Sequence, residues 1–324
     1  MASQEDRAVG QGALRTTLGR SRGGDPLSFN RAPAEDLSPW IARVYATNIE
    51  ADPGQLIECG LVADTPVLRV LFSGDWTAQT RDGVGRYRRS ALFFGPQTRR
   101  MPVSVTGSFA TIGVALKPGA VAALRGPAVA DTLDRIIMFD HIYGAHPWGN
   151  SDRLIRWLDD RRSPDRWLTI AEKLFRRLVE YTGGKRPDPI VEAFDKAAFA
   201  DPNLSLADFA REHDIERRRL ERMIKKAFGQ SPGQVLRRAR ALDIAANLRG
   251  VADSAEAEEI ALRYYDQSHL IREFSTFFGM TPKQFARTPQ PLMTLTLEAR
   301  QARRLEVLGR RSPGDDLPWR REKV

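Results

Sequence analysis

The chain is short of the residues that most redox and metal sites need. Cys59 is its one cysteine among 324 residues, which excludes an intrachain disulfide, a thiolate zinc cluster and a CxxC redox pair. It sits in LIECGLVA with no histidine near it in sequence, and reads as a small buried hydrophobe, not a nucleophile. There are four histidines: His141 and His146 in HIYGAHPWG, then His213 and His269. So thin a supply argues against a clustered metal site, and no cofactor is expected. No P-loop, dinucleotide fingerprint or GxSxG motif is present, which argues against the commonest nucleotide and hydrolase chemistries. No run approaches 18 apolar residues, so no membrane-spanning helix is expected. The opening MASQEDRAVGQGALRTTLGRSRGGDP lacks the apolar stretch of a secretory signal, and the expectation is a cytoplasmic protein. Acid is also short, 41 residues against 50 basic ones, for a formal charge of +9. That balance points to an anionic partner, nucleic acid first and membrane surface second.

What is there changes character along the chain. Residues 1–28 are rich in Gly, Arg and Ser and read as a disordered arm. From about Phe29 to Leu116, short β-branched or aromatic runs (LIECGLVA, PVLRVLFSG, ALFFGP, SFATIGVAL) alternate with turn formers such as Asp82-Gly83 and Gly95-Pro96, the rhythm of a sandwich or barrel. After Ser151 the period becomes helical. Leu154, Ile155 and Leu158, then Ile170, Leu174 and Leu178, predict two helices broken at Ser163-Pro164. These helices would form a dimer seam or pack on the barrel. GGKRPDP, residues 183–189, reads as a linker, and residues 190–288 as helical throughout.

The helical part repeats itself. AFGQSPGQV (Ala227 to Val235) returns as FFGMTPKQF (Phe277 to Phe285), and Leu220 and Leu270, Arg222 and Arg272, Phe228 and Phe278 share the same offset of 50. Gly229 and Gly279 suit the left-handed position that ends a helix. Ser231-Pro232-x-Gln234 and Thr281-Pro282-x-Gln284 are capping boxes with proline at the first helical position. Each copy is therefore a helix stop followed by a helix start. Between them Val235, Ala239, Leu242 and Ala246 form one apolar stripe, so a long helix joins two similar units.

Charge is concentrated in the first unit. From Arg217 to Arg240 nine basic residues face one acid, Glu221. A short helix bearing Leu206, Phe209 and Ala210, a turn through His213-Asp214-Ile215 and a basic second helix make a helix-turn-helix, whose second helix fits the major groove. On that helix Arg218, Glu221, Arg222 and Lys225 lie opposite Leu220 and Ile224. Arginine can address guanine with two hydrogen bonds and glutamate can accept from cytosine, while flanking cations such as Arg217 and Lys226 can hold phosphates.

Residues from about Ile190 to Arg287 resemble the DNA-binding domain of AraC-type transcriptional regulators. The resemblance is carried by Leu206-x-x-Phe209-Ala210, Leu220-x-Arg222, Phe228-Gly229-x-Ser231-Pro232, Asp266-Gln267-Ser268-His269, Arg272-x-Phe274 and Phe278-Gly279-x-Thr281-Pro282. It implies an α+β chain of two domains: a β-rich, barrel- or sandwich-like regulatory domain with following helices over residues 29–182, and an all-α domain with two helix-turn-helix units. ALFFGPQTRR followed by IGVALKPGAV resembles the sensor-like domain of a subset of these regulators. The resemblance gives DNA-contact roles to Arg218, Glu221 and Arg222, and to Gln267, Ser268 and Arg272. It implies double-stranded DNA and RNA polymerase as partners, and leaves room for a small-molecule effector and a homodimer.

Three departures stand out. Glu216 replaces the usual Ser cap, Arg263 the usual turn glycine, and Ala261 to Leu270 is about two residues shorter than the pattern. The competing readings are a metal- or ligand-dependent enzyme of the β domain and a nonspecific basic nucleic-acid-binding protein. Trp40, Tyr45, Trp76, Phe93 and Phe94 are the candidates to line an apolar pocket, although core packing explains them as well. Residues 289–324 read as a solvated basic tail adding nonspecific attraction.

Overall fold

Among the described residues, ten antiparallel strands follow from the alternation of β-branched and polar residues, and they form two sheets. The structure, a computed structural model, describes residues 14–22, 24–143, 150–158, 163–252 and 267–320. The strands are β1 (Phe29–Arg31), β2 (Ile41–Ile49), β3 (Leu56–Leu61), β4 (Val67–Leu71), β5 (Asp75–Thr80), β6 (Gly83–Tyr87), β7 (Ala91–Phe94), β8 (Met101–Thr106), β9 (Phe109–Leu116) and β10 (Ile136–Met138). The larger sheet has the order β1-β2-β9-β4-β7-β10 and the smaller β3-β8-β5-β6. The two face each other as an open sandwich and do not close into a barrel. Met101, Val103 and Val105 of β8 point inward in strict alternation. β9 is apolar almost throughout because both its faces are covered.

One cover is helical. Short α1 (Ala120–Ala123), α2 (Val129–Thr132) and α3 (Phe139–Tyr143) lead to α4 (Ser151–Leu158) and α5 (Pro164–Thr182), which lie on the outer face of the larger sheet. Of the two roles open to α4 and α5, their apolar face takes the packing one, with Leu154, Ile155 and Leu158 buried. The buried stripe of α5 is Trp167, Leu168, Ala171, Phe175 and Leu178; Ile170 and Leu174 sit at its margin, so the face is rotated from the expected one. Ser163 caps α5 from an extended backbone with Pro164 in the first turn, at the predicted break.

After the connection at residues 183–188 come α6 (Pro189–Ala200), α7 (Leu206–Glu212), α8 (Arg217–Phe228) and the long α9 (Pro232–Leu248). They are followed by α10 (Gln267–Phe278), α11 (Pro282–Arg287) and α12 (Pro291–Val307). α6 to α8 keep a core of their own around Phe194, Phe209 and Phe228. α9 to α12 do not. Phe274, Phe278 and Phe285 share one continuous core with Leu242, Leu292, Met293 and the inner faces of both sheets.

Two expectations are corrected here. The segment read as a solvated basic tail forms α12, which closes the open end of the sandwich. Leu292, Met293, Leu297 and Leu305 are buried on it, and Trp319 beyond it is fully enclosed. Apolar residues recur along it at helical spacing, and its arginines are inside because each meets a carboxylate or carbonyl. The arm is likewise seated from residue 14: Arg15 and Glu50 exchange backbone hydrogen bonds of 2.8 and 2.9 Å, and Leu27 is buried. Asp25 of this arm receives Arg249 and, at 2.8 Å, the Thr294 hydroxyl.

The fastening of α12 is ionic and buried. Arg300 donates to Asp64 at 2.8 Å and to Asp243 of α9 at 2.5 Å; Arg303 pairs with Asp195 of α6, and Glu306 with Arg43 of β2 at 2.6 Å. Glu298, fully enclosed, takes hydrogen bonds from Asn30 and Arg320. Desolvation pushes the Asp64 carboxyl up, but the Arg300 and Arg238 guanidinia outweigh it and hold it below the usual carboxylate range. At Asp195 desolvation wins over Arg303 and the shift is upward.

Removing one partner of such a pair leaves charge buried without compensation, at a cost of about 3–5 kcal/mol. Arg300→Met is expected to lose stability of that order in urea unfolding. The lowered Asp64 value also fixes a pH dependence. Its contribution is complete above the unfolded value near 4 and is lost as pH falls through the folded one. The stability gap between wild type and Asp64→Asn should therefore close on acidification and stay constant from pH 6 to 8.

Candidate nucleic-acid interface

Local sequence sets the first unit. The Ser205 hydroxyl accepts from the Asp208 amide at 3.3 Å and starts α7. Asp214 turns the chain at φ 47°, a left-handed position that aspartate tolerates. Glu216 then caps α8 without any side-chain hydrogen bond, as its replacement of serine implied. Phe194 meets Phe209 and Phe228 edge-on, with ring centroids 5.6 and 5.9 Å apart. This packing drives Leu220, Ile224, Ala227 and Phe228 inward and turns Arg217, Arg218, Arg222, Lys225 and Lys226 out to solvent. Glu221 is half-buried, and its carboxylate is held by Arg217 at 3.1 Å. Only Oε1 takes that bond, and Oε2 keeps the capacity to accept. Lys225 and Lys226 lie in the last turn, where cations complement the helix dipole.

α10 is anchored more firmly. Phe274 stacks on Phe278 at 4.4 Å, and Phe285 of α11 closes on both at 5.4 and 4.9 Å. Buried Glu273 is gripped by Arg237 and Arg240 of α9, each at 2.8 Å, which fixes how α10 sits on the long helix. Desolvation pushes the Glu273 carboxyl up, but the two arginines prevail and hold it low. On the other side Ser268 and Arg272 are exposed, with Arg272 Nε donating to the Ser268 carbonyl at 3.2 Å. Gln267 opens the helix, and its side chain lies outside the described residues. So do Arg263, Tyr264, Tyr265 and the shortened stretch before them. Ile271 is 42% exposed beside Arg272. The sequence reading passed over it because apolar residues on helices are usually core; its offset from buried Phe274 and Phe278 was the available signal.

The repeated loop does what its residues dictate. Gly229 and Gly279 end α8 and α10 at φ 73° and 67°. Ser231 with Gln234, and Thr281 with Gln284, form complete capping boxes that start α9 and α11. Both outward-facing helices are also docked at their C-terminal ends. Gly229 lies against the backbone of Val129 and Ala130 in α2, and the Phe277 carbonyl accepts from the Arg100 amide at 2.6 Å. Arg217, Arg218 and Ser268, in the first turns, stay exposed.

Residues 209–288 match a family model described as a helix-turn-helix domain. The C-terminal domain is an AraC-type helix-turn-helix domain. Residues 30–138 match a second model, described only as a domain of unknown function, DUF6597. No curated protein sequence matches the chain. Among solved structures, ToxT from Vibrio cholerae is 11% identical with a TM-score of 0.43, over 75% of this chain and 96% of that one. ToxT with an unsaturated fatty acid bound is 12% identical with a TM-score of 0.41, over 81% and 96%. The AraC-like transcriptional activator CuxR is 12% identical with a TM-score of 0.27, over 76% and 82%.

The match makes residues 209–288 a helix-turn-helix domain, a fold whose second helix fits the major groove. Other sequence candidates fall elsewhere. Cys59 is buried with its thiol 3.4 Å from the Gln290 side-chain oxygen, and burial pushes that thiol up, away from thiolate chemistry. His141 lies on α3, while His146 is outside the described residues. Among the described residues no group of three or more His, Cys, Asp or Glu could hold a metal, and no helix is long and apolar enough to cross a membrane. Of the five aromatic candidates, Tyr45, Trp76 and Phe94 line a cavity between the sheets and α12, while Trp40 and Phe93 are core on the helical side.

The two stop glycines separate local strain from docking. Alanine at Gly279 meets open space, so the left-handed backbone alone costs about 1–2 kcal/mol. At Gly229 an added Cβ comes 3.1 Å from the α2 backbone. Gly229→Ala is therefore expected to cost about 1–3 kcal/mol more than Gly279→Ala. Equal losses in thermal or urea unfolding would mean that α8 is not held by α2.

Proposed function

We propose that the chain is a sequence-specific DNA-binding transcriptional regulator, and that α8 and α10 read successive major-groove segments on one face of the duplex. The observation that carries the proposal is the outward face of α8, where Arg217, Arg218, Arg222, Lys225 and Lys226 are all exposed on a helix whose opposite face is locked in its own core. Arg218 and Arg222 are the base or backbone readers, with Glu221 joining them through the carboxylate oxygen that does not meet Arg217. On α10, Gln267, Ser268 and Arg272 take the matching positions. α8 carries more charge and supplies most of the affinity, so Arg222→Ala should weaken binding more than Arg272→Ala. The duplication and the rigid α9 favour this over nonspecific attraction, which would need no fixed pair of helices. The β domain acts as the regulatory part, fastened to the reading helices through α12.

Selection from a random duplex pool at two salt concentrations tests the reading. Wild type should enrich a two-part motif with centres roughly 34 Å apart, and Arg218→Ala/Arg222→Ala should lose one part. Each phosphate contact removed should lower the slope of log affinity against log salt by about 0.9. Salt-sensitive retention without enrichment would leave only charge attraction.

Ile271 adds a finer expectation. An exposed isoleucine beside Arg272 offers an apolar contact to the 5-methyl group of thymine. In the α10 part of the motif, replacing one thymidine by deoxyuridine should weaken wild type and leave Ile271→Ser unaffected. An equal loss in both proteins would remove Ile271 from base reading.

A further inference from the structure

One segment of the β domain touches α8, α9 and α10. It is the loop from Gly95 to Arg100, which follows β7, together with α2. Gly95 lets the two lie together: a Cβ there would sit 1.7 Å from the Thr132 carbonyl oxygen, so a larger residue would push α2 away. The Gly95 amide donates to the Arg135 carbonyl and the Asp134 amide to the Pro96 carbonyl, each at 3.0 Å. Asp134 closes the pair with its side chain, accepting from the Thr98 amide at 2.8 Å and from the Thr98 hydroxyl. The result is a bracket with three feet. α2 abuts Gly229 at the end of α8. The Gln97 carbonyl, in the middle, accepts from fully buried Arg238 of α9 at 3.1 Å. The Arg100 amide donates to the Phe277 carbonyl at the end of α10, and the Arg100 side chain lies on β3 in the space that Gly60 leaves open.

α8 and α10 are also joined through α9, but a single helix between two units fixes their distance along its axis better than their rotation about it. The first unit keeps a core of its own, so its rotation is set by what else it touches. On one side are two α6 ion pairs, Glu192 with Lys117 and Asp195 with Arg303. On the other is the abutment on α2. The foot on α8 and the foot on α10 belong to one hydrogen-bonded piece, and Asp134 is the side chain that ties them. We propose that this bracket sets the separation of the exposed faces of α8 and α10, with Asp134 as its positioning residue. The consequence for DNA rests on the regulator reading above; the bracket itself does not. Where α8 and α10 read one duplex, the bracket fixes the number of base pairs between the two parts of the motif, since one added pair moves a part by about 3.4 Å and turns it by about 35°.

The test uses the full chain. Asp134 has a left-handed φ of 58°, so Asp134→Gly removes the carboxylate at no backbone strain, while Asp134→Asn keeps an acceptor for the Thr98 amide. Spin labels on Arg219→Cys of α8 and Thr276→Cys of α10, both exposed, report the distance between the helices without DNA; the native Cys59 is buried. The distance distribution should be narrow in the labelled parent and in Asp134→Asn, and broader or displaced in Asp134→Gly. Binding is then measured to the selected duplex and to versions with one base pair added or removed between its two parts. The parent should lose about tenfold or more on either altered duplex, as for one lost pair of base hydrogen bonds. Asp134→Gly should lose most of that preference, whereas a plain loss of stability would lower its affinity for all three duplexes alike. If Asp134→Gly does not fold, Thr98→Val removes the hydroxyl bond alone and should show a smaller broadening. An unchanged distance distribution overturns the bracket. A broader one with an unchanged preference for spacing overturns its role in specificity. A broader one in a protein that enriches no motif upholds the bracket and sinks the DNA reading.

Discussion

Arg300 sits between two carboxylates that belong to different parts of the chain, and the arrangement of the whole molecule depends on that. Asp64 comes from the β sandwich, Asp243 from the helix that joins the two repeated units, and Arg300 from a helix that follows both in sequence. Ionic groups this well enclosed contribute little net stability compared with an apolar packing, because desolvation offsets most of the attraction. They do punish every alternative seating of α12, since each would leave Asp64, Asp195, Asp243 and Arg43 buried and unpaired. The effect is positional. α12 has one place to go, and once there it fixes where α9 lies on the sandwich.

The sequence revealed most where the physics is local. Gly229, Ser231, Pro232 and Gln234 each satisfy a requirement set within four residues along the chain, and so do Gly279 to Gln284; the stops and starts appear where those residues put them. The reading face of α8 was legible for the same reason, because Leu220 and Ile224 fix its orientation by spacing alone. α12 was not. ARQARRLEV shows its charges but not their partners, and Asp64, Asp195 and Asp243 lie between 57 and 236 residues away along the chain. A string of arginines looks solvated until the acids that neutralise it are found. The same blindness made α9 look like a helix with one apolar stripe. Its run from Ala241 to Ala246 is buried on every side because α12 covers the face that would otherwise meet water.

The two repeated units are supported differently. Phe194, Phe209 and Phe228 give the first unit a core of its own, and it meets the rest of the molecule at the abutment of Gly229 on α2 and through two α6 carboxylates, Glu192 on Lys117 and Asp195 on Arg303. Phe274, Phe278 and Phe285 of the second unit belong to the core of the sandwich itself. The helix with more exposed charge is therefore the one less embedded in the rest of the molecule. The second unit behaves as part of the β domain, and its orientation cannot change without disturbing that core.

This bears on how a regulatory domain fused so closely could influence DNA. Releasing α12 would break several buried pairs, each at a cost of about 3–5 kcal/mol, whereas a ligand's coupling between two sites is typically about 1–3 kcal/mol. Ligand binding in the sandwich cannot supply the energy to detach the strap. It can supply enough to shift α9 slightly, through Leu242, Leu292 and Arg300, while every ion pair stays closed. The element free to respond is the abutment at Gly229, where two backbones touch and no charge is buried. Any signal that passes through this fold is then a small change in the angle of the first unit relative to the second, carried by α9 and expressed in the spacing between the exposed faces of α8 and α10.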